Sequence, residues 1–160
     1  MRDILSQDYK KAITAAQRLL KFRIRSEAEL SERLKKKGFN EEVIVRVVDY
    51  FKDIGIIDDR RFAREWIEWR LAKPFGRVRI KRELQQKGID DSIIEDELSS
   101  AMQDSYDEDD VVAHLVEKQV SKYKGISTEK MKHRLYGYLL RRGFSSCAIG
   151  KALRKIKKYK

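Results

Sequence analysis

Proline is nearly missing from this chain, with one in 160 residues, and cysteine likewise occurs once. Glycine is sparse at eight. A chain so poor in turn formers has few places for hairpins, and its many Lys, Arg, Glu and Leu residues favour helix. The lone Cys147 excludes a disulfide framework within one chain and fits a reducing cytosol, so a cytoplasmic location is expected. Long hydrophobic runs are lacking too. None approaches the length of a membrane span, and the first residues carry no apolar region of the signal-peptide kind. There is no phosphate-cradling glycine loop, nucleophile elbow or metallopeptidase motif. His114, His133 and Cys147 are scattered without the spacing of metal ligands, so no metal or cofactor is expected. The paired acids Asp58-Asp59 suit helix caps better than an acid/base pair. Nothing here supports catalysis.

Charge is plentiful. Charged residues make up 39% of the chain beside 41% apolar ones, and the formal net charge is +11. An apolar share of that size argues for a folded chain, and so much charge implies a large surface for the mass. The field attracts an anionic partner, either nucleic acid or an acidic protein surface. Its distribution is uneven. Residues 1–57 carry 13 basic against 9 acidic side chains, residues 58–106 carry 10 against 11, and residues 107–160 carry 14 against 6.

One pattern occurs three times. Leu34-Lys35-Lys36-Lys37-Gly38-Phe39-Asn40 returns as Leu84-Gln85-Gln86-Lys87-Gly88-Ile89-Asp90 and as Leu139-Leu140-Arg141-Arg142-Gly143-Phe144-Ser145, each followed by Ile44, Ile94 or Ile149. Glycine takes the left-handed position just past a helix end, and the apolar residue after it closes a Schellman cap on the leucine. Asn40, Asp90 or Ser145 then caps the next helix, and the isoleucine completes a hydrophobic staple.

The unit is therefore roughly 50 residues long. The expected fold is all-α: three tandem three-helix repeats in an elongated, curved array, with boundaries at 1–57, 58–106 and 107–160. In the first repeat the helices fall near 9–23, 27–37 and 41–53. Ser26-Glu27-Ala28-Glu29 predicts a reciprocal capping box. In the second, Asp58-Asp59 cap a helix through Phe62, Ala63, Trp66 and Ile67, which Lys73-Pro74-Phe75-Gly76 ends. In the third, Asp107-Glu108-Asp109-Asp110 opens a helix. Its five extra residues fall in a loop around Tyr123-Lys124-Gly125-Ile126-Ser127. Such small units are expected to share buried surface with their neighbours.

Candidate binding residues are basic. Arg77, Arg79, Lys81, Arg82 and Lys87 lie on the second repeat's middle helix, with Arg79 and Arg82 spaced to share a face away from Ile80 and Leu84. Lys151, Arg154 and Lys155, with Lys157, Lys158 and Lys160, form a denser C-terminal set; a frayed, solubilising tail is the plainer alternative. Arg141 and Arg142 suit the helix C-terminus by dipole alone. Groove reading by the helix after each glycine is disfavoured, because the second repeat's version carries Asp90, Asp91, Glu95, Asp96 and Glu97. Weak, non-specific contact with single- or double-stranded DNA stays open. Trp66 and Trp69 could stack bases, but a stripe shared with Phe62 favours packing for both.

Ile57-Asp58-Asp59-Arg60-Arg61-Phe62-Ala63-Arg64-Glu65-Trp66, then Lys73-Pro74-Phe75-Gly76 and Ile80-Lys81-Arg82-Glu83-Leu84-Gln85-Gln86-Lys87-Gly88-Ile89, resemble the signature of RecX regulatory proteins. Flanking repeats match as well, so the resemblance spans about residues 10–157. It implies three three-helix units in a curved, elongated monomer. It also implies a cytosolic bacterial protein that lies in the helical groove of the RecA filament, touches more than one protomer and the DNA within, and inhibits strand exchange, ATP hydrolysis and coprotease activity. The third repeat, with its longer loop, is the least typical.

Overall fold

The computed structural model describes residues 2–103, 106–123 and 125–156. Lys124, Lys157, Lys158 and Lys160 thus lie outside the described residues. Among the described residues there are nine α-helices and no strand. The first repeat holds α1 (Arg2–Phe22), α2 (Glu27–Lys35) and α3 (Glu41–Asp53). The second holds α4 (Asp59–Leu71), α5 (Arg77–Gln86) and α6 (Asp91–Met102). The third holds α7 (Glu108–Val120), α8 (Thr128–Arg141) and α9 (Ser146–Arg154). The all-helical, three-repeat expectation holds. The expected third-repeat loop contains the end of a short 3-10 turn, Ser121–Tyr123, followed by a left-handed Gly125 at φ 85°.

All three glycine junctions close as Schellman caps. Gly38, Gly88 and Gly143 sit at φ 88°, 74° and 84°. Their N–H groups donate to Lys35, Gln85 and Leu140, and the next residues' N–H groups reach back to Leu34, Leu84 and Leu139 at 3.2–3.4 Å. Asn40 and Ser145 accept from Val43 and Ala148, while Asp90 accepts from Ser92. A fourth junction of the same kind lacks the leucine of the repeated pattern and has Phe51 in its place. Gly55, at φ 70°, ends α3, with its own N–H on Lys52 and the Ile56 N–H on Phe51.

Two expected caps work differently. Only half of the Ser26/Glu29 box forms: the Glu29 N–H donates to Ser26 Oγ at 3.1 Å, but the Glu29 carboxylate turns to Arg23 and Lys87. Two cations outcompete one backbone N–H for the same oxygens. Asp58 alone caps α4, accepting from Arg60 and Arg61. Asp59 instead accepts the Glu27 N–H at 2.8 Å and so caps α2 from across the repeat boundary. Burial pushes the Asp59 carboxyl upward, and that hydrogen bond offsets only part of the push.

Chain packing groups the helices into two compact units, Met1–Ala63 with Leu84–Ile94, and Arg64–Glu83 with Glu95–Lys160. In the first, α1 packs on α2 and α3 around Leu30, Leu34, Val43, Ile44, Val47 and Phe51. In the second, α7 packs on α8 and α9 around Val112, Leu135, Leu139, Phe144 and Ile149. Each fully buried leucine contributes about 2–5 kcal/mol by the usual cost of truncation to alanine.

Within each unit, the start of one repeat's middle helix seats on the next repeat's glycine junction. In the first unit, Ser26 Oγ donates to the Lys87 carbonyl at 2.6 Å, and Ala28 presses on Gly88 so closely that any Cβ there would overlap its methyl. In the second, the Gly76 and Val78 N–H groups donate to the Arg142 and Gly143 carbonyls at 2.9 and 3.2 Å. The leading N–H groups of α5 thereby satisfy the trailing carbonyls at the end of α8. A Cβ on Gly76 would overlap the Gly143 carbonyl itself. Ser26 and Gly76 occupy equivalent positions, 50 residues apart like Gly38 and Gly88.

These contacts rank the glycines. Gly38 has open space where a Cβ would go, so Gly38→Ala should cost only the left-handed strain, about 1–2 kcal/mol. Gly88→Ala should cost more, and pairing it with Ala28→Gly should return the excess. Gly76→Ala meets backbone and should have no such rescue. Urea unfolding of the four variants checks the order; equal losses at Gly38 and Gly88 would remove the seating contact from the account.

Candidate functional site

The ten basic candidates divide by what folding does with them. Arg77 and Lys81 converge on Glu95 at 2.5 and 2.6 Å, and hydrogen bonds from Lys81 and Arg77 hold that carboxyl below its ordinary range. Arg79 pairs with Glu83 at 3.0 Å and stacks 4.2 Å from the Phe75 centroid. Lys87 lies beyond α5 and pairs with Glu29 at 2.7 Å. Arg142 donates to the Pro74 carbonyl at 2.9 Å and lies over Phe75 and Tyr138. Lys151 pairs with Asp109 at 2.5 Å. Arg82, Arg141, Arg154 and Lys155 are exposed and make no ion pair among the described residues. The structure brings the Arg79 and Arg142 guanidinium groups together around Phe75, and Arg79 also reaches the Arg141 backbone carbonyl.

Around Phe75 the sequence reasoning missed a cluster. Trp66 is half-buried, and its indole N–H donates to Glu83 at 3.2 Å. Trp69, expected to pack, is 46% exposed. Arg70 lies between them, 4.2 Å from the Trp69 centroid, 4.9 Å from Trp66 and 5.2 Å from Phe75, with its charge on Glu83 at 2.5 Å. Lys73 Nζ stands 3.9 Å from the Trp69 centroid. Such cation–π pairs contribute about 0.5–2 kcal/mol each, more when desolvated. A signal for Trp69 existed: it follows the buried Ile67 by two residues, about 200° around a helix, and so faces away from the core.

The first unit holds an open cleft of about 700 Å³ in which Glu27, Asp58, Asp59 and Asp90 alternate with Lys52 and Arg60. Lys52 pairs with Glu27 there at 2.8 Å. Among the described residues no group of His, Cys, Asp and Glu could hold a metal ion, and no helix is long and apolar enough to cross a membrane.

Three helix–glycine–helix repeats bearing cations and exposed aromatics define a tandem helical-repeat protein. Models of three RecX domains match the chain: the first three-helix domain over residues 12–51, the second over 58–98 and the third over 107–153. The chain belongs to the RecX family of regulatory proteins. It is 34% identical to Regulatory protein RecX of Clostridium acetobutylicum over 98% of this chain and 74% of that one. It is 36% identical to that of Chlorobium phaeobacteroides, over 93% and 95%. The crystal structure of RecX from Lactobacillus salivarius superposes with a TM-score of 0.79 at 25% identity, covering 94% of this chain and 97% of that one.

Glu29 carries a pH dependence. Burial alone would raise its carboxyl, but hydrogen bonds from Arg23 and Lys87 outweigh it and bring it from 4.5 to about 2. A carboxyl depressed on folding stabilises above its unfolded value, and the gain is lost as pH falls toward the folded one. Between about pH 4.5 and 2, thermal stability should therefore fall more steeply for the wild type than for Glu29→Gln. Parallel profiles would show that the Arg23–Glu29–Lys87 triad contributes nothing.

Proposed function

We propose that this protein binds the RecA–DNA filament in its helical groove and inhibits the recombinase, ATPase and coprotease activities, acting in DNA repair and the SOS response. It works by binding, without catalysis, as a cytoplasmic monomer. The observation that carries the reading is the match of all three family domains in order along one chain. The division at 1–57, 58–106 and 107–160 belongs to the same proposal, each repeat offering one segment of the contact surface. Arg82, Arg141, Arg154 and Lys155 supply cations that no carboxylate among the described residues neutralises, and these suit acidic protein or phosphate. Arg77, Arg79, Lys81, Lys87 and Lys151 enter that surface only as partly neutralised pairs, while Arg142 keeps its full charge but is held on the Pro74 carbonyl and the Phe75 ring.

Substoichiometric addition should slow ATP hydrolysis by RecA on single-stranded DNA. Full hydrolysis at equimolar protein, with no cosedimentation with filaments, would sink the reading. Arg82→Glu and the pair Arg154→Glu, Lys155→Glu should each weaken filament binding roughly tenfold at low salt, and less at high salt, with helicity intact. Arg79→Glu is a poor probe, because it also breaks the Glu83 pair and the Phe75 stack.

The net charge of +11 favours a second reading, non-specific DNA binding independent of RecA. Tight binding of labelled DNA at physiological salt without recombinase would favour it; weak binding abolished by salt would favour the first.

A further inference from the structure

We propose that the exposed indole of Trp69, with the cations beside it, is a stacking site for single-stranded nucleic acid. The indole is open yet fixed. It keeps 46% exposure, while the Arg70 and Glu83 side chains that hold it are only 16% and 15% exposed. Arg70 is the positioning residue, since its guanidinium contacts Trp66, Trp69 and Phe75 at once and is anchored by Glu83. A rigid aromatic surface loses little entropy when a flat ligand lands on it.

Lys73 is the exchangeable neighbour. Its ammonium lies 3.9 Å from the indole centroid on an exposed side chain and makes no ion pair among the described residues. A nucleobase can take its place on the ring while the ammonium moves to the adjoining phosphate. The local charge selects the same ligand. Arg70, Lys73, Arg79 and Arg142 lie on Trp69 or Phe75, and Glu83 pairs with Arg70 and Arg79, so the cations recorded on these rings outnumber the carboxylate paired to them. A polyanion carrying flat bases meets both demands. Duplex bases already stack on one another, so the indole accepts only bases of a single strand.

The proposal stands apart from the filament reading, because its test contains no recombinase. In full-length protein carrying Trp66→Phe, Trp69 is the one fluorescent indole. An oligothymidylate of about 20 nucleotides should quench it saturably, and an abasic strand of equal length should leave it unchanged. Trp69→Ala should weaken binding about tenfold, with Trp69→Phe restoring most of it and Lys37→Ala, an exposed control, changing nothing. Unquenched fluorescence with the strand shown bound by anisotropy would overturn the site. So would equal quenching by a duplex, or wild-type affinity in a folded Trp69→Ala. Should Trp69→Ala fail to fold, the comparison of oligothymidylate with the abasic strand still decides.

Discussion

The rest of the structure depends on one backbone contact, the seating of a helix start on the glycine junction of the next repeat. A helix N-terminus has N–H groups without partners, and a helix C-terminus has carbonyls in the same position. Setting one against the other satisfies both. The α5 start does so directly, with Gly76 and Val78 donating to Arg142 and Gly143. The α2 start does so through a hydroxyl: Ser26 Oγ accepts from Glu29 and donates to the Lys87 carbonyl. The glycines of these two seated junctions, Gly88 and Gly143, therefore carry two constraints. Each must be left-handed to end its own helix, and bare to admit the neighbouring one.

That constraint also governs the charge. Lys87 and Arg142 each precede a junction glycine, and their own carbonyls accept from the neighbouring helix start, so their side chains are drawn into the packing. Lys87 settles on Glu29, and Arg142 on the Pro74 carbonyl and the Phe75 ring. Arg77 and Lys81 share Glu95. A basic sequence thus spends much of its charge on its own carboxylates and carbonyls. Binding of an anion by these groups exchanges one partner for another, whereas Arg82, Arg141, Arg154 and Lys155 meet it without that loss.

The repeats were legible because each is encoded locally. Gly38, Gly88 and Gly143, with the leucine before and the capping residue after, specify a helix stop and start within seven residues, and the structure forms all three. Gly55 was overlooked because no leucine stands four residues before it; Phe51 fills that role at the end of α3. Contacts between distant positions were not legible. Nothing near Asp59 in sequence indicates that it caps α2, and nothing near Glu29 indicates Lys87. The candidate cations were identified by residue type, but their pairing required the fold. Trp69 departs from the packing that a stripe with Phe62 and Trp66 implies, because its angular position relative to Ile67 turns it outward.

The segment Lys73-Pro74-Phe75-Gly76 shows why architecture and binding surface are hard to separate here. Gly76 must be bare for α5 to reach the Gly143 carbonyl. Pro74 leaves its carbonyl free for Arg142, and Phe75 offers a ring to Arg70, Arg79 and Arg142. The side chains that fasten the second repeat to the third junction thereby also bring positive charge to Phe75, whose ring is shared with the Arg70 that lies on Trp69. A substitution at Phe75 or Arg142 would loosen both, which makes it uninformative about either. Lys73 and Trp69 lie at the margin of this cluster and touch no junction glycine, so they are the positions where recognition can be varied while the fold is held constant.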